Sequence, residues 1–529
     1  MQVSEPADVL VVGAGPAGAV AAKRLTEAGL RVVCLEQGGW PDYANARAGH
    51  PDFELTSSRD WDWNPNTRRA PGDYPVADST SDAAALMWNG VGGGSVIYAG
   101  VWERNLPSDF RVRTLDGIAD DWPLTYDELL PYYEQVDRDF GVSGLDGDPA
   151  HPRGAPPPLP PVPLGTIGRL GARAHNALGW HWWPGPNAIT TRPYRKRTPC
   201  VQRTACLWAC PDGAKASVDR THWPVAIERG ARLVTGARVR ELVLRDGLVE
   251  GALWLDRDGR EHVQRAAVTV LAANAVGTAR LLLLSDVANS SGLVGRRLMI
   301  HPWETVTGLF HEDVGGAQGP WGQLLHCLEF YETDAARGFA RGAKWGLMVT
   351  GGPLATVFAP QFGGPVFGEG FQAAVRSRLG RSAMWGIVGE DLPHEENRVV
   401  LDAELSDKHG IPAPRIIHTA DANSKRLMAF MVERARESLA AMGAYETIVG
   451  LPSREIGWHL LGTARMGEDP AGSVVDRFGR SHDVPNLWIV DGSTWPTSAA
   501  VNPTATIAAL ALRSAERLIA VHRDQESAA

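Results

Sequence analysis

The chain has only five cysteines in 529 residues, too few and too odd a number for a disulfide-stapled scaffold. A reducing, cytoplasmic location is therefore the expectation. No stretch reaches about 18 apolar residues without a charge, so no transmembrane helix is expected. The opening residues, MQVSEPAD, contain no basic segment, so no classical secretory leader is expected either. There is no long basic run, and the formal charge is −9. This argues against a nucleic-acid binder, whose affinity would come from Lys and Arg neutralising phosphates. No repeat of fixed period is present, which excludes a solenoid. Gly and Pro make up roughly 18% of the chain, above background yet below the low-complexity range, as in an ordered, loop-rich protein. At about 150 residues per domain the length allows three to four units, or two large interleaved ones.

What is present begins at the N-terminus. Val9–Val12 is a short apolar run of the kind that forms a buried parallel strand. Gly13, Gly15 and Gly18 follow, then a helical stretch over 19–28 closed by Gly29. A second apolar run, 31–35, ends in Glu36. This is the βαβ dinucleotide fingerprint. Gly13 permits the tight turn, Gly15 lets backbone approach a pyrophosphate, and Gly18 lets helix and strand pack closely. The helix N-terminus offers free N–H groups and a positive dipole to the phosphates. Glu36 can accept from both ribose hydroxyls of an adenosine.

Further along, 41–85 has no sustained period and reads as an irregular excursion. Residues 91–98 read as a second glycine-rich turn, with Gly93 and Ser95, running into an apolar strand. Thr125 and Glu128 form a capping box ahead of an amphipathic helix to about 140. The Pro-rich 149–163 segment is linker-like. Strands are expected over 231–255, at 268–272 and at 487–490, and helices at 279–284, at 422–442 and from about Pro503. Nucleotide-type segments thus recur at the start, middle and end of the chain. That pattern describes one discontinuous cofactor domain with a substrate domain inserted into it.

The tail favours a flavin. Asp491 sits at the carboxyl end of a parallel strand, where open α/β sheets bind ligands. The helix from Pro503 aims its N-terminus at the same crevice. A reduced flavin is anionic at its pyrimidine side, and a helix N-terminus stabilises such charge.

Several motifs together resemble the glucose–methanol–choline oxidoreductase family. They are Val11–Gly18, Gly92–Ser95, Asn289–Pro302 with His301, His459–Gly467, and Val490–Ser493 through Thr504. The resemblance implies an α/β fold with a discontinuous Rossmann-type FAD domain of the p-hydroxybenzoate hydroxylase type and an inserted α+β substrate domain. It implies FAD-dependent oxidation of an alcohol to a carbonyl. The FAD-binding parts are expected over 1–40, 86–145, 225–300 and 455–529, and the substrate domain with its loops over 41–85, 146–224 and 301–454. The catalytic pair carries over onto His459 and Asn502. Cofactor contacts carry over onto Gly13, Gly15, Gly18, Glu36, Gly93, Ser95, Val239, Asp491, Gly492, Asn502 and Thr504.

The chemistry needs the pair. Removing a hydride from an alcohol carbon requires a base for the hydroxyl proton, and His titrates closest to neutrality. An amide at Asn502 can hold the same oxygen and orient the C–H bond. Asn502 before Pro503 would also make a good helix cap, which would remove its side chain from the substrate. His301 lies in a segment read as structural within the family, and His418 carries no assigned role. The turn near Gly93 lacks the His that bears covalent flavin elsewhere in the family, so dissociable FAD is expected. Tyr98 stands where the family often has Asn.

Cys200, Cys206 and Cys210 fall within 11 residues. Three thiolates would serve a three-iron cluster, as in related sugar dehydrogenase subunits that pass electrons to a cytochrome or quinone. Packed thiols are the plainer reading. Overall, a sugar or glycoside is the expected small-molecule substrate, and the 19 Trp residues suit it. Oxygen or another carrier is the expected electron acceptor. The rivals are the cluster-bearing dehydrogenase subunit and a non-redox lyase built on the flavin fold. A homo-oligomer is left open.

Overall fold

The computed structural model describes residues 2–45, 54 and 61–528. Parts of the irregular 41–85 excursion, 46–53 and 55–60, lie outside the described residues. The chain opens with strand β1 (Ala7–Val12), helix α1 (Pro16–Glu27) and strand β2 (Val32–Glu36). The run Val9–Val11 is fully buried, as a central strand covered on both faces must be. Pro16 supplies the first turn of α1, so the helix starts three residues earlier than the sequence pattern suggests.

The second glycine turn differs from expectation. Gly93–Val96 is a 3-10 helix, and no strand follows it. The N–H groups of Ile97 and Tyr98 both turn back to Gly94 O, while Val96 O and Tyr98 O both accept from the buried Lys215 ammonium. The apolar side chains there are buried by local packing around Trp61 and Ala209, and not by a sheet.

Helix α2 (Tyr126–Phe140) begins at the expected capping box, with Thr125 and Glu128 exchanging bonds. Helix α3 (Gly165–Leu178) and the short strand β3 (Trp183–Pro184) follow. The chain then returns with β4 (Arg232–Thr235), β5 (Arg238–Arg245), β6 (Leu248–Leu255), β7 (Glu261–Leu271) and helix α4 (Asn274–Ser285). The first sheet runs β4-β2-β1-β7-β6-β5. Strand β7 has 11 residues and serves different partners along its length. Its second half pairs parallel with β1, and its first half pairs antiparallel with β6.

Further strands are β8 (Met299–Ile300), β9 (Trp303–Leu309), β10 (Leu325–Cys327), β11 (Ala343–Met348) and β12 (Ser382–Gly389). After helix α5 (Ala422–Ala441) come β13 (Glu446–Val449), β14 (Leu460–Leu461) and β15 (Leu487–Ile489). The chain closes with helix α6 (Thr504–Ala528). A second sheet, antiparallel throughout, runs β13-β9-β12-β11-β10-β3. Helices α3 and α5 bury their apolar residues, such as Ile167 and Leu427, in the cluster beneath it. β15 joins β7 of the first sheet in parallel, so the polypeptide ends where it began. Among the described residues, no helix is long and apolar enough to cross a membrane.

Candidate active site

A cavity of about 1070 Å³ lies along the carboxyl ends of β1, β2 and β15. That is at the upper end of small-molecule sites and leaves room for a dinucleotide together with a substrate. Gly13, Gly15, Glu36, Gly93, Ser95 and Val239 line one half, and Asp491, Gly492, Asn502, Thr504 and His459 line the other. Gly18 does not reach the cavity. A Cβ there would lie 2.1 Å from Gly13 O, so its part is close helix–strand packing. Gly13 has φ +102°, and a Cβ on it would strike Ala272 O at 2.5 Å.

The residues present fit FAD. Glu36 Oε2 accepts from Ala14 N–H and Oε1 from Gly38 N–H, both at 2.9 Å. Those two bonds fix the carboxylate at the strand end and leave one lone-pair site on each oxygen for ribose hydroxyls. Burial pushes its pKa up. The N-termini of α1 and α6 both border the cavity, through Pro16 and Ala17 and through Pro503 and Thr504. Two sequence-nominated side chains are already engaged within the protein. Ser95 Oγ donates to Gly92 O at 2.6 Å and accepts from Val218 N–H at 3.1 Å. Asp491 accepts from Ser493 N–H and from the Thr278 hydroxyl, at 2.9 and 2.6 Å. These two shape the wall by holding its backbone. The Tyr98 hydroxyl is likewise committed to Ala216 O at 2.5 Å.

The catalytic pair sequence analysis nominated is brought together. Asn502 Nδ2 lies 3.2 Å from His459 Nε2. Asn502 Oδ1 is buried with no hydrogen-bond partner, so the side chain does not cap α6. The ladder of β14 on β8 pairs Leu461 with Met299 and Leu460 with Ile300. The next rung sets His459 opposite His301, and their Nδ1 atoms are 2.8 Å apart.

The tautomers follow from the partners. His301 Nε2 is 3.1 Å from Ser498 O. A carbonyl only accepts, so that nitrogen carries the hydrogen. Burial lowers the His301 pKa to about 4, so the ring is neutral and its Nδ1 is an acceptor. His459 must then donate from Nδ1, which leaves the lone pair on Nε2, beside Asn502 and facing the cavity. Burial first, then repulsion from any proton added to His301 and from the Lys344 ammonium, holds His459 far below its ordinary pKa. A neutral imidazole with an available lone pair is the form a general base requires.

His301 is thus the residue that sequence reasoning undervalued. The signal was present in its position directly after a strand that pairs with the His459 segment, but that pairing is not visible before folding. His418 belongs to the support: it donates to Asp391 Oδ2 at 2.8 Å, and the same oxygen accepts from Ile300 N–H at 2.7 Å.

None of the three cysteines lines the cavity, whereas Leu207 and Trp208 between them do. Cys206 is buried, and Cys200 and Cys210 are half-buried. Burial, then Cys210, pushes the Cys206 thiol up to about 12. Among the described residues, the three sulfurs do not all lie within 4.8 Å of one another, whereas ligand atoms of Asp148, His181 and His326 do. That second group is an ion-pair network. His181 Nδ1 accepts from Leu328 N–H at 3.1 Å, so its Nε2 carries a hydrogen and donates to Asp148.

Sequence profiles of the GMC oxidoreductase N- and C-terminal regions match residues 7–303 and 393–511. The chain belongs to the GMC oxidoreductase family. A 2-methyl-1,2-propanediol dehydrogenase of Mycolicibacterium austroafricanum is 39% identical, covering 97% of this chain and 95% of that one. The fructose dehydrogenase large subunit of Gluconobacter japonicus is 30% identical, covering 97% and 98%. The crystal structure of a pyridoxine 4-oxidase superposes with a TM-score of 0.64 at 20% identity, covering 97% and 99%, which establishes the shared fold. This GMC protein is therefore a FAD-binding oxidoreductase acting on alcohols, as the motifs implied.

Proposed function

We propose that this GMC enzyme oxidises a hydroxyl of a sugar or glycoside to a carbonyl, with His459 as the base. FAD, when bound, supplies the acceptor for the hydride that leaves the carbinol carbon. His459 Nε2 takes the hydroxyl proton, and Asn502 orients the same oxygen. Among the described residues Nε2 has one hydrogen bond, the 3.2 Å one from the Asn502 amide, which an incoming hydroxyl would displace. The observation that carries this reading is the hydrogen-bond chain Ser498–His301–His459, since it fixes which nitrogen is basic. A polyhydroxylated substrate is supported by a continuous aromatic wall. Trp63 lies 4.4 Å from Trp458 and 6.2 Å from Trp208, which meets Trp321 edge-on at 6.3 Å. All four line the cavity. The kinship with a fructose dehydrogenase subunit supports it too.

The test is anaerobic mixing of the holoenzyme with sugars and glycosides while the oxidised flavin band is followed. Bleaching is expected, and His459→Ala should slow it at least ~10²-fold. Product formation without bleaching would mean a lyase, and an unchanged rate in the variant would remove His459 from the reaction.

A further inference from the structure

The link that carries Asn502 into the site is held in a conformation that its own residues disfavour. Residues 497–501, which lead into α6, are buried. Among them Ala499 has φ +56°. A residue with a Cβ enters this left-handed region only when its surroundings hold it there. Asn502 lies three residues further on. Ser498, whose carbonyl fixes the His301 tautomer, lies one residue back. The turn at Ala499 therefore sets both the amide beside His459 and the acceptor behind His301.

Two anchors flank Ala499. On one side Ser498 Oγ accepts from Asp391 N–H at 3.0 Å and lies 2.8 Å from Asp391 O, to which it donates. On the other side Ala500 N–H donates to the Tyr331 hydroxyl oxygen at 3.0 Å. That hydroxyl donates in turn to Asp109, 2.9 Å from Oδ2. Asp109 is itself fixed, because Leu106 N–H donates to Oδ2 at 2.7 Å and Arg341 Nη2 to Oδ1 at 2.5 Å. Arg341 Nε is tied to Glu390 Oε2 at 2.8 Å.

Tyr331, Asp109, Arg341 and Glu390 are each at most 1% exposed. An ionised carboxylate only accepts, so the phenol hydrogen goes to Asp109 and a phenol lone pair is left for Ala500. The ion pair thus fixes the polarity of the phenol. Arg341 precedes β11 and Glu390 follows β12, which are neighbours in the second sheet. Asp109 belongs to the 3-10 turn Pro107–Phe110. The link is therefore fastened to two separate parts of the fold through one hydroxyl.

Resting on the His459–Asn502 reading above, we infer that Tyr331 is a positioning residue: its hydroxyl, oriented by Asp109, holds Ala499 left-handed and so keeps Asn502 against His459. Without that hydroxyl the buried Ala500 N–H loses its acceptor. Ala499 then relaxes to negative φ, and Asn502 turns away from the imidazole.

The test uses Tyr331→Phe, Ala499→Gly and the double variant as holoenzymes. Glycine occupies the left-handed region without strain, so it keeps the turn with no anchor. On packing grounds the second substitution deletes a buried methyl and would make the double variant worse. Flavin reduction is followed per bound FAD, with the sugar or glycoside that bleaches the wild type fastest. Tyr331→Phe should lower the limiting rate at least about tenfold while the substrate Kd changes less than about threefold. Ala499→Gly alone should stay within about twofold of wild type, and the double variant should be at least about threefold faster than Tyr331→Phe. Crystal structures should show Asn502 Nδ2 out of hydrogen-bond reach of His459 Nε2 in Tyr331→Phe and back within reach in the double variant. An Asn502–His459 contact retained in Tyr331→Phe overturns the inference, and so does a double variant as slow as the single one. If the contact is lost and regained while the rate stays at the wild-type value, Tyr331 holds the link as inferred and the failure belongs to the role of Asn502 in the reaction.

Discussion

His301 Nδ1 and His459 Nδ1 are 2.8 Å apart, and one hydrogen between two like nitrogens decides which imidazole keeps its far nitrogen unprotonated. His301 cannot supply that hydrogen, because its own is spent on Ser498 O. In the proposed reaction it acts through His459 as a positioning residue. His301→Leu should lower kcat at least about tenfold by freeing His459 to adopt the other tautomer. Loss of the His301 influence should also raise the His459 pKa, so the acid limb of kcat/KM moves to higher pH. His301→Gln, whose amide oxygen can accept from Nδ1, should recover part of the rate. A mere packing role would lower the rate without moving the pH limb.

Asn502 offers a complementary perturbation. Asn502→Asp places a carboxylate where the amide now lies 3.2 Å from His459 Nε2. A neighbouring negative charge favours imidazolium. The acid limb of kcat/KM should therefore shift upward by about a unit or more, and activity at neutral pH should fall. An unshifted profile would mean the two side chains do not share the reacting oxygen.

The βαβ start, the capping box at Thr125 and the pairing of His459 with Asn502 were legible because each is local or carried by a motif with its own chemistry. Gly93–Tyr98 was misread as turn and strand, since β-branched and aromatic residues look the same whether a sheet or a local cluster buries them. The role of His301 was hidden for a different reason. It depends on a two-rung ladder between segments about 160 residues apart, and on a carbonyl at Ser498 that no side-chain pattern announces.

Cofactor affinity gives an independent handle on the N-terminal half of the cavity. FAD should be released into the supernatant on acid precipitation, since the Gly93–Tyr98 turn offers no His and the Tyr98 hydroxyl is held by Ala216 O. Glu36→Gln replaces a charged acceptor that serves Ala14 and Gly38 and faces the ribose position. A hydrogen bond to a charged group contributes about 1.5–3 kcal/mol, so FAD should bind about 10- to 100-fold more weakly. Titration of the apoprotein with FAD, followed by flavin fluorescence, measures this. Wild-type affinity in the variant would place the ribose elsewhere.

Stability should peak near pH 6.5, because two sets of histidines oppose each other. Burial alone would lower the His326 pKa, but Glu103 and then Asp148, at 2.9 and 2.7 Å, raise it to about 9. A base raised in the folded state stabilises fully below its unfolded pKa near 6.5, and that contribution is lost as pH climbs through about 9. Burial lowers His151, His222 and His301 to about 4, 3 and 4. The unfolded chain protonates those three below about 6.5 while the folded chain resists, so stability also falls from 6.5 toward 4. Thermal unfolding followed at constant ionic strength from pH 4 to 9.5 should trace both limbs. His326→Gln should flatten the alkaline limb, because it removes the group whose raised pKa produces it. An alkaline limb unchanged in that variant would show that the Glu103–His326–Asp148 charge does not contribute to folding.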